Sequence, residues 1–334
     1  MPLIVERPQV LDIYAEAADR HWVLPTFNAE NLTSSEAILQ AVNDYVQSIG
    51  KEDLPIIIGI TNTYRPRPQS VYYTQTRRWD LGLSLFLADL KVLTSEPSPF
   101  ARLKVMVHLD HVQWDEDKEL LGWDMAQFSS IMYDTSTLPL DKNIRKTATF
   151  RERHGHTIVI EGACDEIAEA TAAAGNDLTT PEVAERYHRE TGVDIIVANL
   201  GTEHRATAAT LKYHGELARE ISRRIGPRLC LHGTSSVSPE EVSHLFDDGV
   251  RKVNIWTALE RDSSLVLFRD MLENAAKVVG PEKAEELFTS GLLGTRADRT
   301  SSPSASYYTT TYRQEVIFHR MKEIVTGYLR MWYV

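Results

Sequence analysis

Short apolar, β-branched runs recur along the chain, and polar stretches with helical spacing separate them. Eight such runs stand out: Val23–Phe27, Pro55–Ile60, Lys104–Leu109, Phe128–Tyr133, Thr157–Ile160, Asp194–Leu200, Arg228–Leu231 and Lys252–Ile255. Runs of this length and composition read as strands. The segments between them carry helix-start signals. Thr33-Ser34-Ser35-Glu36 predicts a capping box ahead of a helix over Ala37–Val46. Thr180-Pro181-Glu182 places proline and then an acid in a first helical turn, and Ser238-Pro239-Glu240-Glu241 repeats the device. Strand alternating with helix predicts a parallel sheet with helices on its faces. Eight units predict closure into a (β/α)8 TIM barrel. An open doubly wound sheet is the alternative, but no Gly-x-Gly-x-x-Gly follows the first run. Residues 1–290 are expected to form the barrel catalytic domain, and 291–334 a C-terminal loop and helical segment packing on it.

In such a barrel the residues that follow the strands share the C-terminal face, where active sites are built. In order they are Asn28, Thr61, Asp110 with His111, Asp134, Glu161, His204, His232 and Asn254. Polar residues are ordinary there, because loops begin there. Three histidines and several carboxylates on one face are less ordinary. A catalytic zinc site uses three protein ligands and leaves a fourth position for water or substrate. His111, His204 and His232 on three separate strands would surround one point near the barrel axis. Taken singly, each histidine is more often a satisfied structural residue than a ligand; their coincidence on one face points to a metal. Asp110 beside His111 has two open roles. It could move a proton to or from a substrate oxygen, or it could orient a histidine.

Composition narrows the function further. The 334 residues carry 43% hydrophobic and 25% charged side chains, a globular balance without a disordered segment. The formal net charge of −11 argues against a nucleic-acid or anionic-membrane surface, since both need a basic face. No apolar run is long enough to span a bilayer, and Met1–Arg7 lacks the pattern of a signal peptide. Only two cysteines occur, Cys164 and Cys230, so a disulfide framework is not expected and a reducing cytoplasm is.

Six segments follow one another in order: Pro25-Thr26-Phe27-Asn28 with Asn31-Leu32, His108-Leu109-Asp110-His111, Phe128 to Ser136, Thr180 to Asp194 leading to Gly201-Thr202-Glu203-His204, His232-Gly233-Thr234-Ser235, and Val253-Asn254-Ile255-Trp256-Thr257. Together they resemble the class II fructose-bisphosphate aldolase family, which also holds the tagatose-bisphosphate aldolases. The resemblance runs in one register from about Leu24 to Asp262. It implies a zinc-dependent lyase in carbohydrate metabolism, acting on a sugar or sugar phosphate as a homodimer or higher homo-oligomer. It implies His111, His204 and His232 as metal ligands, Asp110 as the group handling the C4 hydroxyl proton, and Asn254 as the group holding the enediolate. Asn28, Gly201, Arg205, Gly233, Ser235, Trp256 and Thr257 fall at its substrate-binding positions. Asp134 and Glu161 are possible additional acids. A sugar isomerase or epimerase on the same metal, or a non-catalytic sugar-phosphate-binding relative, would share much of this pattern.

Departures from the family fall where the acceptor is chosen. The glycine-rich phosphate cradle reads His232-Gly233-Thr234-Ser235-Ser236, the aspartate of N-x-D-T is Trp256, and the glycine after the second ligand is Arg205. The tyrosine–lysine pair beyond it is Thr207 and Ala208, and the arginine after Tyr307-Tyr308 is Thr311, with Arg313 two residues on. V-E-x-E becomes Ile160-Glu161-Gly162-Ala163, and the loop acid is replaced by Asp165, Glu166 and Glu169. An arginine- and tyrosine-rich insertion, Asn62–Arg78, adds a long loop at the mouth. The expectation is a retained metal and enolate machinery with an acceptor site altered from fructose 1,6-bisphosphate.

Overall fold

Near-continuous apolar runs suit parallel strands, because helices cover both faces of the sheet. The computed structural model describes residues 3–165, 178–202, 213–234 and 237–333. Eight strands form there: β1 (Leu24–Asn28), β2 (Pro55–Thr61), β3 (Lys104–Gln113), β4 (Ser130–Asp134), β5 (Val159–Ala163), β6 (Ile195–Val197), β7 (Leu229–Leu231) and β8 (Val250–Ile255). Each pairs in parallel with the next, and β8 returns to β1 with Leu24 opposite Lys252 and Thr26 opposite Asn254. The result is a closed eight-stranded (β/α)8 barrel, as the strand count predicts. All five residues of β1, β4 and β5 and all seven of β2 are buried.

One strand departs from the expectation in a way that shapes the site. The apolar pattern ends β3 at Leu109, whereas β3 runs on through Asp110 and His111 to Gln113. Its register with β4 shifts between Leu109 and Val112, and His111 sits at φ 48°, in the left-handed region. In a regular strand, neighbouring side chains point to opposite faces. The bulge breaks that alternation, so Asp110 and His111 both reach the interior.

The helix caps are partly those predicted. Thr180 caps the helix Pro181–Thr191, which ends on Gly192 at φ 65°, and Ser238 forms a capping box with Glu241. The helix after β1 begins earlier than expected, at Leu32. Its cap is Asn31, whose side chain accepts from the Ser34 N–H at 3.2 Å, and not the Thr33–Glu36 box. The Asn62–Arg78 insertion contains a short helix, Gln69–Tyr72. An N-terminal helix, Arg7–Asp19, precedes the barrel and packs Val10, Ile13 and Ala17 beside β5 and β8. At the other end, the helix Thr310–Trp332 lies against the helices Leu32–Ser48 and Thr257–Glu273. Trp332 Nε1 donates to the Val242 carbonyl at 3.1 Å, and Tyr333 donates to the Pro55 carbonyl. Among the described residues no helix is long and apolar enough to cross a membrane.

Candidate metal centre and active site

The bulge in β3 and the end of β7 together bring Asp110, His111 and His232 to one point. One ligand atom from each lies within 4.8 Å of the others, and all three residues are buried. The imidazole rings meet edge to face, with centroids 5.0 Å apart. Each ring also touches a carboxylate. His111 Nδ1 lies 2.8 Å from Asp134 Oδ2 at the end of β4, and His232 Nε2 lies 2.9 Å from Glu161 Oε1 within β5. Carboxylate–imidazole pairs of this kind fix the tautomer of metal-binding histidines and raise their basicity. The atoms turned toward an ion would then be His111 Nε2 and His232 Nδ1. The residues therefore fit a divalent metal with imidazole preference. His204, Arg205, Ser235, Glu166 and Glu169 lie outside the described residues.

A second grouping, Glu161, Cys230 and His232, also clusters. Lys252 touches two of its members: the ammonium is 2.8 Å from Glu161 Oε2 and 3.6 Å from Cys230 Sγ. A second cation there would meet that charge at close range. Burial drives the Cys230 thiol pKa up, so the thiolate a metal would need is disfavoured as well. Among the described residues, the first grouping is the better cation site.

Asp110 accepts three side-chain hydrogen bonds in the centre. Oδ2 accepts from Asn28 Nδ2 at 2.8 Å and from Arg67 Nη2 at 2.7 Å, while Oδ1 accepts from Asn254 Nδ2 at 3.0 Å. Burial alone would raise its pKa. The neighbouring His111, His108 and Arg67 outweigh burial and hold it well below the usual carboxylate range. For His111 burial favours the neutral ring, but Asp110 and Asp134 reverse the sign and raise its pKa. For His232 burial prevails over Glu161 and lowers it.

Strand-end positions alone do not single out Lys252. It stands two residues before Asn254 in β8, on the same face, and its ammonium is 2.5 Å from Asn254 Oδ1. That bond turns the Asn254 amide so that its NH2 faces Asp110. A lysine inside an otherwise apolar strand, in step with a predicted site residue, is the signal that marks it. Within the insertion, composition does not distinguish Arg67 and Tyr64 from their neighbours, yet both reach the site. Tyr64 lies flat on the His111 ring, with centroids 4.4 Å apart, and a cavity of about 400 Å³ opens beside it. His111, Gln113, Asp134 and Ser136 line that cavity, so it reaches the first of the two histidines.

Among the other predicted positions, Asn28 ends β1, and its amide also donates to Gln69 Oε1 at 3.1 Å. Gly201 and Gly233 both adopt positive φ, 85° and 69°. Thr202 Oγ1 donates to the His232 carbonyl at 2.7 Å, tying the loop after β6 to the segment that follows β7. Trp256 and Thr257 join β8 to its helix. The Trp256 indole N–H donates to Glu30 Oε1 at 2.6 Å.

Glu260, one turn into that helix, makes the stability of the fold depend on pH. Burial, and then the nearby Glu30 charge, raise its pKa to about 7. In the unfolded chain it ionises near the ordinary value of 4.5. Below that pH both states are neutral and no penalty exists. The penalty on the fold grows as pH rises from 4.5 and is complete above about 7. Glu260→Gln should therefore raise the melting temperature at pH 8 by several degrees, on the order of 2–4 °C per kcal/mol for a chain of this size. The gain should shrink toward zero at pH 4.5. Equal shifts at both pH values would contradict the assignment of the penalty to Glu260 ionisation.

Comparison with known proteins agrees with this architecture. The family pattern described as fructose-bisphosphate aldolase class-II matches residues 8–323. A fructose-bisphosphate aldolase of Staphylococcus aureus (strain Mu50 / ATCC 700699) is 25% identical over 288 residues, covering 85% of this chain and 91% of its own. One of Treponema pallidum is 26% identical over 254 residues, covering 69% and 70%. Among solved structures, the fructose-bisphosphate aldolase of Campylobacter jejuni superposes with a TM-score of 0.73 at 18% identity, over 99% of this chain and 95% of the other. The YdjI aldolase of Escherichia coli K12 gives 0.64 at 15%, over 96% and 94%. These two share the fold. With the pattern matched along nearly its whole length, the chain belongs to the class II fructose-bisphosphate aldolase family of lyases.

Proposed function

We propose that this lyase cleaves and forms the C3–C4 bond of a ketose or ketose phosphate, with one zinc ion and with an acceptor site altered from fructose 1,6-bisphosphate. The observation that carries the reading is the convergence of Asp110, His111 and His232, each imidazole backed by its own carboxylate, at the C-terminal mouth of the barrel. Bound there, such an ion would supply Lewis acidity for the ketose carbonyl and for the charge left on the donor half. His111 and His232, with His204, would hold it.

The protein's own groups account for the rest. Asp110 lies beside the first ligand and takes the C4 hydroxyl proton in cleavage, returning it in condensation. Asn28 and Asn254 fix its two oxygens, so the proton transfer has a defined direction. Asn254, turned by Lys252, also presents its amide to the donor oxygens. Asp134 and Glu161 keep the two histidines in the tautomers that metal binding needs. Trp256 replaces a hydroxyl-binding acid with an apolar plate on the acceptor side.

His111→Ala and His232→Ala test the centre. The wild-type chain should hold about one zinc per chain, and each variant should lose most of it by elemental analysis while keeping its circular dichroism. Stoichiometric zinc retained in both variants would remove the site from consideration.

A further inference from the structure

We infer that Arg67 and Trp256 form the recognition site for a carboxylate on the acceptor, carried one or two carbons from the reacting carbonyl; this rests on the aldolase reading above. Arg67 comes from the insertion after β2 and reaches across the mouth to Asp110 Oδ2 at 2.7 Å. Its guanidinium lies over the Trp256 indole, 4.8 Å from the ring centroid. That indole is itself fixed. Its N–H donates to Glu30, and Glu30 accepts a second bond from Gln69 Nε2 at 2.7 Å. The Gln69 oxygen accepts from the Thr61 backbone N–H at 2.9 Å, so the plate under Arg67 is anchored to the end of β2. Thr61 Oγ1 also donates to the Arg67 carbonyl, which fixes the backbone from which the arginine springs.

The guanidinium is only half used. Nε and Nη2 form one edge of its plane, spaced to grip a carboxylate with two parallel bonds. Nη2 serves Asp110, while Nε is buried with no hydrogen-bond partner among the described residues. A buried donor left unmet is costly, and a ligand that supplies its acceptor is favoured. A carboxylate lying along this edge would satisfy Nε and replace Asp110 as the partner of Nη2. Asp110 Oδ2 would then be open to the substrate hydroxyl. Asp110 would keep Asn28 and Asn254, so its position would not depend on Arg67.

Reach decides what kind of anion fits. The acceptor carbonyl oxygen must come within hydrogen-bond distance of Asp110, roughly 2.6–3.2 Å. Arg67 is in contact with that same carboxylate. The anion and the carbonyl oxygen therefore bind to adjoining atoms. A carboxylate on the carbonyl carbon or on the next one spans about 3–5 Å, which matches. A phosphate ester on the third carbon overshoots.

The test is condensation by the zinc enzyme with dihydroxyacetone phosphate or dihydroxyacetone as donor. Glyoxylate, glycolaldehyde and glyceraldehyde 3-phosphate serve as acceptors. The expected result is a kcat/KM for glyoxylate roughly 10–100-fold above that for glycolaldehyde, the worth of a charge-assisted pair. Glyceraldehyde 3-phosphate should not exceed glyoxylate. In Arg67→Met that ratio should collapse toward one, mainly through the KM of the acceptor. Arg67→Lys, which keeps charge but lacks the fork, should fall between. A wild-type preference below threefold, a preference for the phosphate, or an equal loss for all acceptors in Arg67→Met would each overturn the inference. Exchange of the donor C3 proton in D2O separates two failures. Exchange with condensation of glycolaldehyde but no preference for glyoxylate sinks the carboxylate site alone, whereas exchange without condensation of any acceptor, or no exchange with either donor, sinks the aldolase reading and this inference with it.

Discussion

Asp110→Asn should keep its zinc and its fold and lose roughly two to four orders of magnitude in turnover, the usual scale for a general acid–base group. On the proposed reading His111, His204 and His232 hold the metal, and the carboxylate partners of His111 and His232 are Asp134 and Glu161, not Asp110, so the metal should stay. The proton transfer cannot be replaced. An amide has no exchangeable charge to offer the C4 oxygen, and its NH2 would also face a donor. On the Oδ1 side it meets Asn254 Nδ2, and on the Oδ2 side both Asn28 Nδ2 and Arg67 Nη2. The less costly flip points the NH2 at Asn254, so that amide would have to shift as well. Elemental analysis and steady-state kinetics on the same preparation decide between the two roles open to Asp110 in the sequence. Loss of zinc together with activity would show that Asp110 chiefly orients the ligands. Full zinc with a rate within tenfold of wild type would show that it is not the proton carrier.

The barrel was legible because its signal is physically simple. Strands buried on both faces must be apolar at nearly every position, so eight short runs are readable without any partner information. The meeting of His111 and His232 was legible because barrel strands point their ends at one face, which turns scattered residues into neighbours. What stayed hidden depends on local backbone choices and on long side chains. Nothing in His108-Leu109-Asp110-His111 marks a bulge, yet only the positive φ at His111 lets two consecutive residues share the interior. The Asn31 cap was masked by the stronger-looking Thr33–Glu36 pattern. Arg67 crosses from a loop to a carboxylate 43 positions away, a contact that depends on the course of the insertion and on no periodicity. Asp134 and Glu161 read as possible acids for the reaction, whereas their geometry places them behind the two histidines.

Fructose 1,6-bisphosphate should be a poor substrate, with a specificity constant below about 10⁴ M⁻¹s⁻¹, the lower end of the ordinary enzyme range. Three local changes lead to this expectation. The phosphate cradle after His232 has Thr234 where its family has a second glycine. Thr234 is buried, and its hydroxyl donates to the Asn254 carbonyl at 2.9 Å, so it is not free to meet a phosphate. Trp256 stands in place of an aspartate, and its only polar side-chain atom is committed to Glu30. At the distal end Thr311 replaces an arginine on the helix Thr310–Trp332, while Arg313 donates to the Tyr308 carbonyl. A charge-assisted hydrogen bond is worth roughly 1.5–3 kcal/mol. Losing two of them removes about 3–6 kcal/mol, equivalent to two to four orders of magnitude in kcat/KM. Arg67 does not compensate, because it lies against Asp110 close to the bond being broken, and the distal phosphate is two carbons and an ester oxygen beyond that bond. Trp256→Asp should raise activity on the bisphosphate by restoring a hydroxyl acceptor, though by no more than about tenfold to a hundredfold while Thr234 and Thr311 remain. Retro-aldol kinetics on the wild-type zinc enzyme decide the matter. A specificity constant at or above about 10⁴ M⁻¹s⁻¹ would mean that the changed residues do not set the acceptor and that a bisphosphate is bound by other groups.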